Sequence, residues 1–140
     1  MFWDSSAVVP TLVVTSRSRE LARLLGADPR PAIWWATPVE CQSALFRRHR
    51  ERPLPGGSID DALGRLTALI DDAYVITPTL ALRERAGRLL RSHVLRAGDA
   101  LQLAAALAWT EDTPAGEPFV CLDDRLRAAA TREGFATLPG

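Results

Sequence analysis

Apolar residues follow two alternating patterns along the chain. Short apolar runs, typical of buried strands, alternate with longer stretches in which apolar residues recur every three or four positions, as on one helix face. The runs predict strands at Met1–Trp3, Pro31–Ala36, Tyr74–Thr77, Pro118–Leu122 and Phe135–Leu138. The longer stretches predict helices at Ser16–Leu25, Thr37–Arg50, Ser58–Asp72, Thr79–Arg91, Gly98–Thr110 and Asp123–Glu133, and a further apolar segment spans Ala7–Val14.

Local signals support several of these boundaries. Thr37 is predicted to be the N-cap of its helix because Pro38 suits the first helical position. Loops are indicated by the composition of Arg52–Gly57 and Glu111–Glu117. Strands that alternate with helices predict βαβ units and a mainly parallel sheet. With 140 residues, the chain is therefore expected to form a single α/β domain, a three-layer α/β/α sandwich.

The composition indicates where the protein is located more clearly than it indicates a function. Hydrophobic residues make up 47% of the chain, and the formal net charge is zero, so bulk attraction to nucleic acid is not implied. All 17 basic residues are arginine. Cys41 and Cys121 form no CxxC pair and are expected to be buried free thiols. Neither a signal peptide nor a membrane-spanning run is recognisable, so we expect a cytoplasmic protein that does not interact with membranes.

Four acidic residues stand where an apolar run gives way to a helical pattern: Asp4, Glu40, Asp99 and Asp123. Each one alone is explained as well by helix capping, and Glu40 completes a T-x-x-E capping box with Thr37. As a set they suggest more, because ligands of parallel sheets bind beyond the carboxyl ends of the strands. Clustered carboxylates attract a hard divalent cation such as Mg²⁺ or Mn²⁺, which can promote water attack on a phosphodiester.

The segments around these acids resemble the four acidic segments of PIN-domain nucleases. The matching stretches, in order, are FWDSSAVV, TPVECQSALFRR, LRAGDALQLAAAL and FVCLDDRLRAAATREGF. Their order, spacing and coverage of the whole chain are similar to VapC-type toxins of bacterial toxin–antitoxin pairs. The resemblance implies a small α/β/α fold and a metal-dependent ribonuclease that cleaves RNA.

The resemblance also implies roles for individual residues. Asp4, Glu40, Asp99 and Asp123 would form the metal-binding catalytic pocket, and the Ser6 hydroxyl would support Asp4. The family often has Ser or Thr two residues before the fourth acid, where this chain has Cys121, a weaker hydrogen-bond partner. Asp124 is an alternative to Asp123 as the fourth ligand.

Other features suggest partners. Arginines 47, 48, 50 and 52 surround His49 and form either a solvated helix end or a contact for RNA phosphates or an acidic partner. The segment Ala7–Leu25 holds more apolar residues than one helix face needs, and the excess could form an exposed groove. In PIN-type toxins an antitoxin tail lies in such a groove, and its arginine can enter the acidic pocket. The resemblance further suggests a homodimer. Trp34 and Trp35 are expected to point to opposite faces of a strand, both in the core.

Two other classes of function are considered. A PIN-like module that binds RNA or protein without catalysis is the main alternative, and the four intact acids count against it. A phosphoacceptor receiver domain requires a lysine near its phosphorylated aspartate, and this chain contains no lysine. P-loop NTPases are excluded because the chain has no Gly-Lys-Ser/Thr motif.

Overall fold

Five short strands alternate with seven helices in the computed structural model, which describes residues 1–140. The strands are β1 (Phe2–Trp3), β2 (Ala32–Trp34), β3 (Tyr74–Ile76), β4 (Pro118–Val120) and β5 (Ala136–Leu138). The helices are α1 (Ser5–Leu12), α2 (Ser18–Gly26), α3 (Thr37–Glu51), α4 (Ser58–Asp72), α5 (Leu80–Ser92), α6 (Ala97–Trp109) and α7 (Asp124–Glu133). Most predicted boundaries lie within two residues of the observed ones, and α4 begins and ends at the predicted residues.

The sheet has the order β3-β2-β1-β4-β5, and every pair of neighbouring strands is parallel. The predicted α/β/α architecture is therefore confirmed. The chain begins in the central strand, adds β2 and β3 on one side, and then crosses to add β4 and β5 on the other. The strand order reverses around β1, so the carboxyl end of β1 is the point where parallel sheets form a ligand crevice.

Two hydrophobic cores cover the two faces of the sheet. One core lies beneath α5, α6 and α7, and the other lies beneath α1, α2, α3 and α4. Neighbouring residues of β1 enter different cores: Phe2 packs into the first and Trp3 into the second. Cys121 lies in the first core and Cys41 in the second, and both are buried free thiols as predicted.

Most of the apolar residues in the segment Ala7–Leu25 are buried, so they leave less exposed apolar surface than its composition suggested. Val8, Leu12 and Leu21 are fully buried, and of the large apolar residues in this segment only Val14 is well exposed. The reason is that the segment divides into two short helices, α1 and α2. Each helix buries its own apolar stripe against the same core.

The two adjacent tryptophans also differ from prediction. Trp34 ends β2 and is buried, whereas Trp35 lies beyond the strand and is 57% exposed. The chain turns into α3 directly after β2, so the alternation of strand side chains does not reach Trp35. The N-cap of α3 is Ala36, which has no capping side chain, and not Thr37 as predicted.

One arginine holds the carboxyl ends of two strands together. The Arg127 guanidinium donates hydrogen bonds to the carbonyl oxygens of Cys121, Leu138 and Pro139, at 2.8, 3.0 and 2.8 Å. These bonds fix the backbone between β4 and α7. No helix in the chain has the length and apolar character needed to cross a membrane.

Candidate functional site

The four predicted acids all lie at the carboxyl edge of the sheet, each at the start of a helix. Asp4 is the N-cap of α1, and Asp123 is the N-cap of α7. Glu40 and Asp99 lie in the first turns of α3 and α6. The amino ends of helices carry partial positive charge, so this edge of the domain favours anions.

Asp4 is the most constrained of the four. It is 4% exposed, and its backbone N–H donates to the Val120 carbonyl at 3.0 Å, extending the ladder between β1 and β4. Burial raises the pKa of Asp4 to about 6, although hydrogen bonds from Ser6 oppose the shift; the charge of Glu40 raises it further. The fold thus holds a carboxylate where its negative charge is unfavourable.

Ser6 supports Asp4 in the way that the sequence suggested. Its backbone N–H donates to Asp4 Oδ2 at 2.9 Å, and its hydroxyl donates a short hydrogen bond to the same oxygen. The Ser6 hydroxyl also accepts a bond from the Leu122 N–H at 2.9 Å. Ser6 therefore connects α1 to the segment that follows β4, in addition to orienting Asp4.

Glu40 is held by a side chain that sequence analysis did not single out. Gln102 of α6 is 1% exposed, and its amide nitrogen donates to Glu40 Oε2 at 3.0 Å and to Thr37 Oγ1 at 3.1 Å. Because the Thr37 hydroxyl faces Gln102, it does not cap α3. The predicted capping box between Thr37 and Glu40 is therefore absent, and both residues contact α6 instead.

Asp99 lies at the third position of α6, where its Oδ2 accepts a hydrogen bond from the Arg96 N–H at 3.3 Å. Burial raises the pKa of Asp99, the Arg96 hydrogen bond opposes this shift, and the charge of Asp123 raises the pKa further. Asp99 and Asp123 together line a cavity of about 460 Å³, which also includes Arg96 and Arg125.

Asp123 and Asp124 are both exposed and both line this cavity. Asp123 Oδ1 caps α7 by accepting from the Leu126 N–H at 2.9 Å, whereas Asp124 is the first helical residue. Of these two carboxylates, it is Asp123 whose charge raises the pKa of Asp99, in addition to the effect of burial. These contacts favour Asp123 over Asp124 as the partner of Asp99.

Cys121 connects two of the acids through its thiol. The sulfur accepts a hydrogen bond from the Asp123 N–H at 3.3 Å and lies 3.6 Å from Asp4 Oδ2, to which it can donate. Burial and the charge of Asp4 raise the pKa of the Cys121 thiol strongly, so the group is a neutral donor. Cysteine thus makes the contacts expected of a hydroxyl at this position, over longer distances.

The acids form two interacting pairs. Asp4 is coupled to Glu40 by charge repulsion, and Asp99 to Asp123. No three carboxylate, imidazole or thiol groups lie close enough together to hold one metal ion among them. None of the four acids forms a salt bridge within the chain.

Each acid uses only one carboxylate oxygen for contacts within the chain. These oxygens are Asp4 Oδ2, Glu40 Oε2, Asp99 Oδ2 and Asp123 Oδ1. The second oxygen of each acid has no hydrogen-bond partner in the protein. Helix capping and ligand binding are therefore compatible, since the oxygen that stabilises the fold is not the one left free. The two free carboxylate oxygens of each pair form a hard donor set that, together with water molecules, suits Mg²⁺ or Mn²⁺.

Comparison with known proteins agrees with this geometry. No family model matches the chain. Over 99% of its length, however, the chain is 30% identical to the ribonuclease VapC45 of Mycobacterium tuberculosis, and the alignment covers 94% of that protein. The chain belongs to the VapC ribonuclease family.

Solved structures show the same fold for this VapC-family chain. The sarcin–ricin loop cleaving toxin VapC20 of M. tuberculosis matches 96% of the chain and 95% of its own length, with a TM-score of 0.68 and 19% identity. A chain in a toxin–antitoxin complex from Klebsiella pneumoniae also has this fold, with a TM-score of 0.66 and 18% identity. The match covers 91% of the present chain and 89% of the Klebsiella chain. The fold is thus that of the PIN domain.

Gln102 is the site residue of this VapC chain that sequence analysis missed. A signal for it is visible in hindsight, because Gln102 is the one polar residue in the stretch of α6 from Ala100 to Trp109. A buried amide requires hydrogen-bond partners. The sequence alone does not show that its partner is Glu40, which lies 62 positions earlier.

The buried charge of Asp4 should lower the stability of the cation-free protein at neutral pH. The folded-state pKa of about 6 exceeds the ordinary aspartate value of 3.8, so the contribution of Asp4 to the free energy of unfolding falls as pH rises between these values, by about 3 kcal/mol in all. Asp4→Asn keeps the helix cap and removes the charge. In EDTA at about pH 7.5, urea unfolding should show this variant to be more stable than the wild type by up to about 3 kcal/mol.

The stabilisation by Asp4→Asn should disappear near pH 4, where the native carboxyl is protonated. Asp124→Asn is the matched control, because Asp124 is exposed and its substitution should leave the free energy of unfolding almost unchanged at both pH values. Equal stabilities of wild type and Asp4→Asn at pH 7.5 (roughly neutral) would contradict the assignment of a buried charge at Asp4.

Proposed function

We propose that this chain is a metal-dependent endoribonuclease toxin that is neutralised by a cognate antitoxin. The observation that carries the proposal is the set of four carboxylates at one edge of the sheet, each with one oxygen free and none in a salt bridge. Membership of the VapC ribonuclease family supports RNA as the substrate. The family members known as solved structures include a toxin that cleaves the sarcin–ricin loop.

The cofactor of this reaction would be Mg²⁺, with Mn²⁺ as a possible substitute. The two pairs, Asp4 with Glu40 and Asp99 with Asp123, would each offer their free oxygens to the cation, and water molecules would complete its coordination. When bound, the cation supplies positive charge that favours deprotonation of a water molecule and stabilises charge developing on a phosphodiester. The cation would also offset the burial and the charge repulsion that together raise the pKa values of Asp4 and Asp99.

The remaining tasks fall to groups around the acids. Arg96 and Arg125 line the cavity of Asp99 and Asp123, and neither is in a salt bridge within the chain. Their guanidinium groups are placed to contact phosphate oxygens of the RNA. The amino ends of α1, α3, α6 and α7 add partial positive charge at the same edge. Substrate phosphate is thus attracted to a region that contains four acids.

Removal of the Asp4 or Asp99 carboxylate should abolish the ribonuclease activity. Asp4→Ala and Asp99→Ala should each reduce Mg²⁺-dependent RNA cleavage to below about 1% of wild type, because each removes a metal ligand. Asp123→Ala should have a similar effect, whereas Asp124→Ala should retain most of the activity. Gel-based cleavage assays with and without EDTA would measure these differences. Wild-type rates in both Asp4→Ala and Asp99→Ala would exclude this function.

Gln102 should act on metal binding through Glu40. Gln102→Leu replaces the amide with an apolar group of similar size and removes an amide oxygen that is buried without a partner. The melting temperature should change little, because this gain offsets the lost hydrogen bond to the buried Thr37 hydroxyl. Mn²⁺ affinity measured by calorimetry should weaken by about tenfold, as for other residues that orient metal ligands. Thr37→Val is the control, because it leaves the bond between Gln102 and Glu40 intact. Unchanged affinity in Gln102→Leu would show that Glu40 needs no such support.

The antitoxin partner is proposed from the resemblance to a chain of a toxin–antitoxin complex. A cavity of about 630 Å³ lies between α1, α2 and α4, at the edge of the sheet opposite the acids. Leu12, Leu25 and Leu69 form its apolar part, with Asp28 and Arg65 at its polar margin. This surface could hold an apolar segment of an antitoxin, while another segment reaches the acids.

We also propose a homodimer, on the basis of exposed apolar residues near the carboxyl ends of β2 and β3. Trp35 and Leu80, which follow the neighbouring strands β2 and β3, are 57 and 68% exposed. Large exposed apolar side chains that lie near one another are typical of protein interfaces. A second copy of the chain would bury them.

The dimer can be tested by a charged substitution. Trp35→Asp should shift the protein to monomer in sedimentation equilibrium, because a carboxylate would be desolvated in the interface. Val14→Asp introduces the same charge at an exposed apolar residue elsewhere and should leave the association unchanged. A dimer of equal stability in Trp35→Asp would place the interface on another surface.

A further inference from the structure

One face of α3 carries a graded series of side chains that begins at the acidic site. Glu40, Ser43, Ala44, Arg47 and Arg48 are spaced by three and four residues, so they lie along one stripe of the helix. Arg47, the fourth of them, lies seven positions after Glu40, the first. The stripe therefore changes from acidic to hydroxyl-bearing to basic over roughly 10 Å of helix.

This stripe forms one wall of a groove, and α1 forms the other. The groove has a volume of about 650 Å³ and opens beside Glu40 and Ser6. Its lining includes four hydroxyl groups, those of Ser5, Ser6, Thr15 and Ser43. Val9, Pro10, Val39 and Ala44 supply apolar surface between them. The groove is thus continuous with the acids and is lined by hydrogen-bonding groups along its length.

The two arginines at the far end of the groove differ in their contacts. Arg48 donates a hydrogen bond to the Val14 carbonyl at 3.3 Å and so bridges the two walls. Arg47 is exposed and takes part in none of the salt bridges of the chain. A guanidinium group that is free and faces a groove is suited to a phosphate ligand.

We propose that this groove binds the RNA strand on one side of the cleaved bond, with Arg47 contacting a phosphate about two nucleotides from the acids. This inference rests on the proposed ribonuclease function and identifies the track that the substrate follows. The hydroxyls of the groove can donate to phosphate and ribose oxygens, and its apolar residues can pack against sugars and bases. Arg48 shapes the end of the groove.

The charges favour RNA over an acidic peptide as the occupant. A peptide that places carboxylates along the whole groove would bring one of them beside Glu40 without a cation. An RNA strand has its phosphate nearest the acids at the position where the proposed function requires a divalent ion. The same strand then places a further phosphate at Arg47, so both ends of the groove are matched.

The test compares Arg47→Ala with Arg132→Ala. Arg132 is an exposed arginine in the last turn of α7, at the end of that helix remote from the acids, and serves as the matched control. Binding to a fluorescent single-stranded RNA 12-mer (a length of roughly one binding site) is measured by anisotropy in Ca²⁺, with a gel to verify that the RNA stays intact. Arg47→Ala should weaken binding about fivefold and reduce the salt dependence of log Kd by about one unit. In Mg²⁺ cleavage assays KM should rise with kcat unchanged.

The outcomes separate the two levels of the proposal. If the wild type neither binds nor cleaves RNA, the proposed function fails and this inference fails with it. If the wild type cleaves RNA but Arg47→Ala and Arg132→Ala have the same KM and salt dependence, the groove is not the substrate track. If a poly-glutamate peptide binds the wild type at this groove and Arg47→Ala abolishes that binding without affecting RNA, the groove is a peptide site and the inference is overturned.

Discussion

The buried carboxylate of Asp4 is the constraint around which the site is arranged. Its position is fixed from several directions, because its backbone belongs to the β1–β4 ladder and its side chain caps α1. Ser6 and Cys121 both approach its Oδ2 oxygen. The protein would be more stable with a neutral residue at the end of the central strand, since burial raises the pKa of Asp4 to about 6. The fold therefore retains a charge that only a ligand of opposite sign would favour.

Capping and ligand binding are usually treated as competing explanations for an acid at a helix start. Here they apply to different oxygens of the same carboxylate. Asp123 Oδ1 accepts the bond that caps α7, and Asp99 Oδ2 accepts a bond from the Arg96 N–H, while the second oxygen of each is free. Bonds to the backbone fix the orientation of each acid, so the free oxygens are held in position before any ligand arrives. Such preorganisation lowers the cost of binding an ion.

The strands and helices could be predicted from the sequence because short apolar runs and apolar residues at helical spacing mark them locally. The four acids could be found because strand–helix junctions gather at one edge of a parallel sheet. The pairing of the acids could not be predicted, since it depends on how α3 and α6 cross the sheet. The same crossing explains Gln102, whose partners lie on another helix, and Thr37, whose hydroxyl faces α6 and not its own helix. Trp35 was predicted in the core because a strand boundary was placed two residues too late.

The protonation state of Cys121 bears on which cation the proposed metal site would hold. A thiolate beside Asp4 would add negative charge and a soft ligand, and such a site would favour zinc. Burial and the charge of Asp4 instead raise the pKa of the Cys121 thiol strongly, and burial with the charges of Asp4 and Glu40 raises that of Cys41 to about 12. Both cysteines near the acids therefore stay protonated at neutral pH and contribute no metal-binding thiolate. The donors that remain are carboxylate oxygens, the ligand type that suits the Mg²⁺ or Mn²⁺ of the proposed function.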